Sequence, residues 1–432
     1  MNRYRFSFFA FTTYLICSLT AMATMSLGFV VLLLAWMTSF SRKWKFLSSD
    51  SSGTPEFKNY RFWAVTLWIA CWSSLIAARF FPYAYAGHDP EVTAHGFLKI
   101  WYLLIPGILL GVYQTASEKI EFTWSKILTP WWVMTLLLCG IAFIQFFYGW
   151  PHRQDIPTNP GRFHATLFFG HHLSTSSIII FPAFTALAIS IGHWVRQKKT
   201  NIYGLSLGFI TLAGISGVLI LFLSYARTAW LALLIGFALL AVHYLGKKLS
   251  WKQWLATILA SIAALGIFSQ TELVKERITR MMGVYDRFEL WKVNIEFFKV
   301  RPWTGIGWLK TQEMTTYYFD HIDPQHLNPI YGGHAHSNFF EMLGGTGLIG
   351  LLAFLGWSYF TIRLAHRLQK RFNQKGDWFL SDLCFGIFVA LILLHFNGLT
   401  NVTFWEGKVM HQQMLAVGFL LILDHRLNQK KH

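Results

Sequence analysis

Long apolar stretches broken at short intervals by polar clusters run through this chain from one end to the other. A helix needs roughly 17 to 25 such residues to cross about 30 Å of hydrocarbon, with every backbone polar group bonded inside the segment. The pattern predicts spans near 6–22, 24–40, 61–80, 97–115, 128–148, 165–193, 203–223, 229–245, 253–269, 346–364, 379–396 and 409–424, twelve in all. The first two lie in one apolar stretch of 35 residues, 6–40, read as a tight hairpin with a single long tilted helix as the alternative. A cleaved leader over residues 6–23 would need a polar cleavage region, yet apolar sequence continues through Phe40.

Composition agrees. The 432 residues are 54% hydrophobic and 13% charged, where soluble domains carry about a quarter charged residues. The expectation is an all-α polytopic membrane protein, one integral domain over residues 1–432 with about twelve transmembrane helices. A formal net charge of +17 would suggest nucleic acid in a soluble protein, but its distribution excludes that reading. Basic clusters recur at every second loop: Arg3/Arg5, Arg42/Lys43/Lys45, Lys119/Lys126, Arg196/Lys198/Lys199, Lys247/Lys248/Lys252, Arg363 to Lys375, and Arg426/Lys430/Lys431. With twelve spans they share one side, which the positive-inside rule makes the cytoplasm, together with both termini. Cys17, Cys71, Cys139 and Cys384 all fall inside spans without metal or redox spacing, and read as packing residues.

Function is expected on the other face, which holds short loops at 81–96, 149–164, 224–228 and 397–408 and a long one at 269–345. That loop, about 75 residues, is too long for a connector and carries two helical patterns, 271–282 and 286–300, the second ended by Arg301-Pro302. Three arginines stand at the outer ends of different spans: Arg162, Arg227 and Arg287. Each can be an ordinary interfacial residue; converging, their planar bidentate donors suit the oxygens of a multivalent phosphate.

The end of the long loop reads His334-Ala335-His336-Ser337-Asn338. Asn338 followed by Glu341 fits a capping box, so a helix starts there with His336 just outside its N-terminus. The helix dipole disfavours an imidazolium at that place, and a neutral imidazole can take a proton from an attacking hydroxyl. His321, Asp323, His326, His334 and His336 have a metal-like composition but match no compact zinc signature, so no metal is assigned. No phosphate-binding GxxxxGK[ST] segment occurs, and Gly305-Ile306-Gly307 reads as a turn.

These motifs together resemble the O-antigen ligase and polymerase superfamily of bacterial inner-membrane enzymes. The family's signature, His followed by Ser, Asn or Gln, nine residues and Gly-x-x-Gly, is met by His336-Ser337 and Gly347-Leu348-Ile349-Gly350. Arg227-Thr228-Ala229-Trp230 is similar to its Ser-Arg-Thr-Ala-Trp element, with Ala226 in place of Ser. Arg287-Phe288-Glu289-Leu290-Trp291 and Pro302-Trp303-Thr304-Gly305-Ile306-Gly307 are similar to its Arg-x-x-x-Trp and Pro-x-x-Gly-x-Gly elements. The likeness covers about residues 225–350.

The resemblance implies a GT-C-type helical transferase in the bacterial inner membrane with a periplasmic active site. It would move a glycan from undecaprenyl pyrophosphate to a hydroxyl, of lipid A-core for a ligase, with no cofactor. Arg227 and Arg287 would hold the pyrophosphate and His336 would activate the acceptor. Arg162, His334, Ser337, Asn338, Trp291 and Glu406 are the further candidates for substrate contact, Glu406 as the nearest match to an acidic residue of the family's last outer loop. Direct attack predicts inversion at the anomeric carbon. A polymerase or a protein O-oligosaccharyltransferase would share the donor. A transporter of an anionic lipid or sugar is the rival of another class; it predicts inverted repeats and mid-membrane charges, whereas these spans look nearly free of acids.

Overall fold

The computed structural model describes residues 3–38, 54–81, 91–92, 96–97, 99–120, 123–151, 153–156, 161–196, 204–246, 248–250, 252–253, 282–322 and 333–429. Residues 254–269 of the expected span 253–269, residues 271–281 of the expected helix 271–282, most of loop 81–96, Asp323, His326 and several basic positions (42, 43, 45, 198, 199, 247, 430 and 431) lie outside them. The described residues fold into thirteen α-helices and one 3₁₀ segment: α1 (Arg3–Cys17), α2 (Met22–Met37), α3 (Pro55–Phe80), the 3₁₀ turn Lys99–Leu104, α4 (Ile105–Ser117), α5 (Trp124–Tyr148), α6 (His172–Arg196), α7 (Leu207–Leu223), α8 (Arg227–Leu245), α9 (Met282–Val300), α10 (Thr311–His321), α11 (Asn338–Gln374), α12 (Trp378–Asn397) and α13 (Gly407–Gln429).

Seven helical segments among the described residues are long and apolar enough to cross a membrane: Pro55–Phe80, Lys99–Ser117, Ile127–Tyr148, His172–Arg196, Arg227–Leu245, Asn338–Gln374 and Trp378–Asn397. Met22–Met37 and Leu207–Leu223 are apolar but shorter. The chain is therefore a multi-pass helical membrane protein, and among the described residues seven of the twelve expected spans meet that standard. The 35-residue stretch at the N-terminus does fold as two helices, α1 and α2, packed so closely that a Cβ on Gly28 would lie 2.8 Å from Cys17 Cβ.

Burial sorts the helices. α6 and α12 are 78% buried over their most apolar stretch and α3 and α8 only 39%, so the first pair forms the centre and the second the rim. The rim displays Phe62, Ile69, Leu231 and Val242 outward, an arrangement that water would penalise and hydrocarbon does not. Small residues let the central helices touch, since a Cβ on Gly217 would stand 2.5 Å from Ala183 Cβ and one on Gly386 2.5 Å from Thr185 Cα. α13 is buried from Val409 to Asp424 yet misses the apolar standard. It carries His411, which bonds the Tyr14 hydroxyl at 2.7 Å, and Gln412, whose amide donates to Ser18 Oγ at 2.8 Å.

One end of the bundle collects charge in pairs whose acids are buried. The Arg196 guanidinium grips both oxygens of Asp382, to which the Tyr244 hydroxyl also donates at 2.8 Å. Arg371 reaches Asp424 at 2.9 Å and Arg367 pairs with Glu56. Asp382 and Asp424 fall inside expected spans, so those spans are not as free of acids as the sequence suggested. Each acid is offset by an arginine from a neighbouring helix, because an unpaired carboxylate there would be costly.

At the opposite end the long loop packs onto the bundle. α9 ends at Val300 before Pro302, as expected, and Arg301 Nη1 donates to the Ala77 carbonyl of α3 at 3.0 Å. Residues 302–307 then run antiparallel to 344–349. Ile306 and Gly307 donate to Gly344 and Gly345 (3.0 and 2.9 Å), and Leu348 and Ile349 to Pro302 and Trp303 (2.8 and 3.3 Å). This pairing is possible because α11 breaks at Gly347 (φ 64°, ψ −164°), a conformation open only to glycine. A Cβ at Gly347 would meet Trp303 C at 2.4 Å, and one at Gly305 (φ 63°) would meet Gly345 C at 2.4 Å.

Candidate functional site

The loop residues 333–337 cross this end of the bundle and are held by three groups. The Trp291 indole of α9 donates to Ala335 O at 2.9 Å and stacks on Phe340 with centroids 4.8 Å apart. Glu341 Oε2 accepts from the Ala335 N–H at 2.7 Å, and its other oxygen accepts from the Thr311 hydroxyl of α10. Asn338 N–H donates to Gly398 O at 2.8 Å. Its side chain accepts from the N–H groups of Thr403 (2.8 Å) and Phe404 (3.1 Å) and donates to Thr403 Oγ1 (2.9 Å).

The helix thus starts where the sequence put it, but not by the capping box. Ser337 is the N-cap without a side-chain cap bond, and the side chains of Asn338 and Glu341 bind other segments instead. Tertiary partners offer these buried polar groups full satisfaction, which local capping would not. Asn338 and Trp291 accordingly position the loop, and neither they nor Ser337 line the cavity beside it.

That cavity, about 370 Å³, is bounded by His334, His336 and Glu341, by Thr311, by Lys99, by His171 and Ser174 at the start of α6, and by Glu406 and Trp405 before α13. His336 sits at φ 46°, left-handed for a residue with a Cβ, an outlier of the kind that persists where surrounding structure enforces it. Its N–H donates to His334 Nδ1 at 3.3 Å, the two rings lie 4.3 Å apart, and among the described residues its own buried Nδ1 has no hydrogen-bond partner. Burial, then the charges of His334, Arg287 and His171, push the His336 imidazolium down to about 3, so the ring is neutral in the free protein. Neutrality was expected from the helix dipole; desolvation is the larger cause. Burial also lowers His334 and His171, and raises the Glu406 carboxyl, whose oxygen accepts from the Ser174 hydroxyl.

The arginines stand apart from the cavity wall. Arg287, half-buried on α9, is close enough for its charge to act on His336. Arg227 opens α8, where Ala226 and Ala229 pack on Leu173 beside His171. Arg162 instead lies over the Phe147 ring at 4.8 Å, donates to Gly161 O, and is not part of the cavity lining. His321 stacks on Tyr317 with centroids 4.4 Å apart, and its expected companions Asp323 and His326 lie outside the described residues.

Glu341, Lys99, His171 and Ser174 were not singled out from the sequence as site residues. Glu341 was visible only as a capping partner, and Lys99 lay unremarked within the expected span 97–115. The pair His171-His172 inside the apolar run 165–193 was a usable signal. The structure begins α6 at His172 and leaves 164–171 as a strap, bonded from Ala165 N–H to Leu223 O at 3.1 Å.

Fold and site together define a multi-pass membrane protein with a polar, histidine- and carboxylate-lined cavity at one end of its helices. Within it, residues 210–355, about a third of the chain, match the protein-family model described as O-antigen ligase. The matched stretch includes Arg227, Arg287 and His336, and the two docked glycine segments. No curated protein matches the chain.

Proposed function

We propose that this protein is an O-antigen ligase: it transfers a glycan from undecaprenyl pyrophosphate to a hydroxyl of lipid A-core at the periplasmic face. Members of the matched family are glycan-transferring enzymes that use lipid-linked substrates. The observation that carries the reading is His336, neutral, without a partner on its buried Nδ1 among the described residues, and held in a left-handed backbone against an open cavity. The basic residues at the far end of the bundle support a periplasmic site through the positive-inside rule.

In this mechanism the acceptor oxygen attacks the anomeric carbon as the C1–O bond to the pyrophosphate breaks. The acceptor proton passes to the His336 imidazole, and undecaprenyl pyrophosphate leaves with the bonding pair. Arg227 and Arg287 stabilise the charge developing on that leaving group, which is worth most in a site of low dielectric. Donor binding beside Arg287 offsets one of the charges that hold His336 neutral, so the imidazole becomes more basic once the donor is seated.

The test is transfer by the purified protein in nanodiscs, with lipid-linked glycan and lipid A-core. His336→Ala and Arg287→Ala should each reduce turnover by about 10²-fold or more while preserving expression. Full activity of His336→Ala would remove the base. Transfer to a protein or to a second lipid-linked repeat, with lipid A-core untouched, would reassign the acceptor.

A further inference from the structure

A second cavity, about 400 Å³, opens beside the first and shares two of its walls, Lys99 and Glu406. The rest of its lining is Trp101, Tyr102, Met22 and the Gly407-Lys408 corner. Lys99 lines both spaces, and Glu341 and Glu406 lie near enough to attract its ammonium. It therefore stands as a donor aimed into both spaces. Trp101 is packed against Tyr102 and Phe29, with centroids 4.2 and 4.3 Å away, which fixes its ring as a wall of the cavity.

A fixed aromatic wall flanked by an ammonium and a carboxylate matches the two kinds of surface on a pyranose, its C–H faces and its rim of hydroxyls. Pockets of this size, apolar with a few placed polar groups, take ring-sized ligands. Arg227 and Arg287, suited to phosphate, line neither cavity. The base His336 lines the first, so the space in line with it belongs to the molecule that brings the hydroxyl. We propose that the second cavity is a saccharide subsite for the acceptor, with one sugar ring against Trp101 and its hydroxyls bridged by Lys99 and Glu406. The next sugar then extends into the first cavity and presents its hydroxyl to His336.

The assignment of this sugar as acceptor rests on the transfer reading; the existence of a saccharide site does not. The experiment is therefore done first without donor, on the full chain in nanodiscs, by calorimetric titration with core oligosaccharide released from lipopolysaccharide by mild acid. Trp101→Ala and Lys99→Gln should each weaken binding about tenfold, with Trp101→Phe restoring most of it. Titration with undecaprenyl phosphate should be unchanged in both variants. Where transfer is measured, the acceptor KM should rise about tenfold and the donor KM stay within about twofold. Unaltered oligosaccharide binding in the properly folded Lys99→Gln protein would overturn the subsite, as would a loss confined to undecaprenyl phosphate. Oligosaccharide binding that responds to both substitutions in a protein that transfers nothing would uphold the subsite and remove the ligase reading.

Discussion

His336 gains its character from what surrounds it. A histidine in water titrates near neutrality, whereas this one, buried and crowded by His334, Arg287 and His171, gains a proton only at about pH 3. Above that value the ring is available as a base, so the acid limb of kcat/KM, which reports the free protein, should lie below pH 5. The acid limb of kcat reports the donor-bound state, where Arg287 is offset, and should lie at higher pH than that of kcat/KM. Coincident limbs near pH 6.5 would show that a histidine in ordinary surroundings controls transfer. The sequence could place His336 before a helix and expect a neutral ring, but desolvation depends on walls built from the 3₁₀ turn, α6, α10, α11 and the segment before α13. Asn338 illustrates the opposite outcome: its local pattern reads as a cap, and its partners turn out to be Thr403 and Phe404, 65 and 66 residues away.

Among the elements, α11 shows how a sequence motif becomes a joint. The Gly-x-x-Gly element and the Pro-x-x-Gly-x-Gly element are separate in the chain, and the structure explains both by one contact, the docking of 302–307 into the break at Gly347. This contact fixes α9 and the His336 loop to the same long helix. Gly347→Ala should therefore combine backbone strain of about 1–3 kcal/mol with a clash against Trp303. Its expected signature is a lower melting temperature in detergent and faster proteolytic cleavage within 301–310. Wild-type behaviour on both counts would mean that the docked segment does not hold the loop. The hydrophobic pattern correctly set helices apart from connections at α3, α5, α8 and α12. It overextended α6, because residues 165–171 are apolar enough to pass for helix while Ala165 N–H bonds Leu223 O at the end of α7 and Leu167 N–H bonds the Gln145 side chain of α5. Hydropathy cannot distinguish a buried strap from a buried helix of similar composition.

For the whole molecule, the two ends are chemically different: paired arginines and acids at one, and the histidine cavity at the other. If the cavity faces the periplasm, a cysteine at Trp303, exposed within the docked segment, should react in intact cells with an outer-membrane-permeable, inner-membrane-impermeant maleimide in a Cys17→Ser background. A cysteine at Lys370, exposed near the basic end of α11, should react only after the inner membrane is opened. The reverse pattern would invert the molecule. By itself the sequence determined that this is a multi-pass helical membrane protein, and it marked His336, Arg227 and Arg287 as candidates for chemistry on one face. Apolar runs and charge asymmetry are properties of continuous segments, so they survive without coordinates. Only the tertiary structure decided that Lys99, His171, Ser174, Glu341 and Glu406 meet His336 around one cavity, since these residues come from segments up to 307 positions apart. Their meeting depends on close helix packing and on backbone contacts at glycines, which no single stretch of the chain encodes.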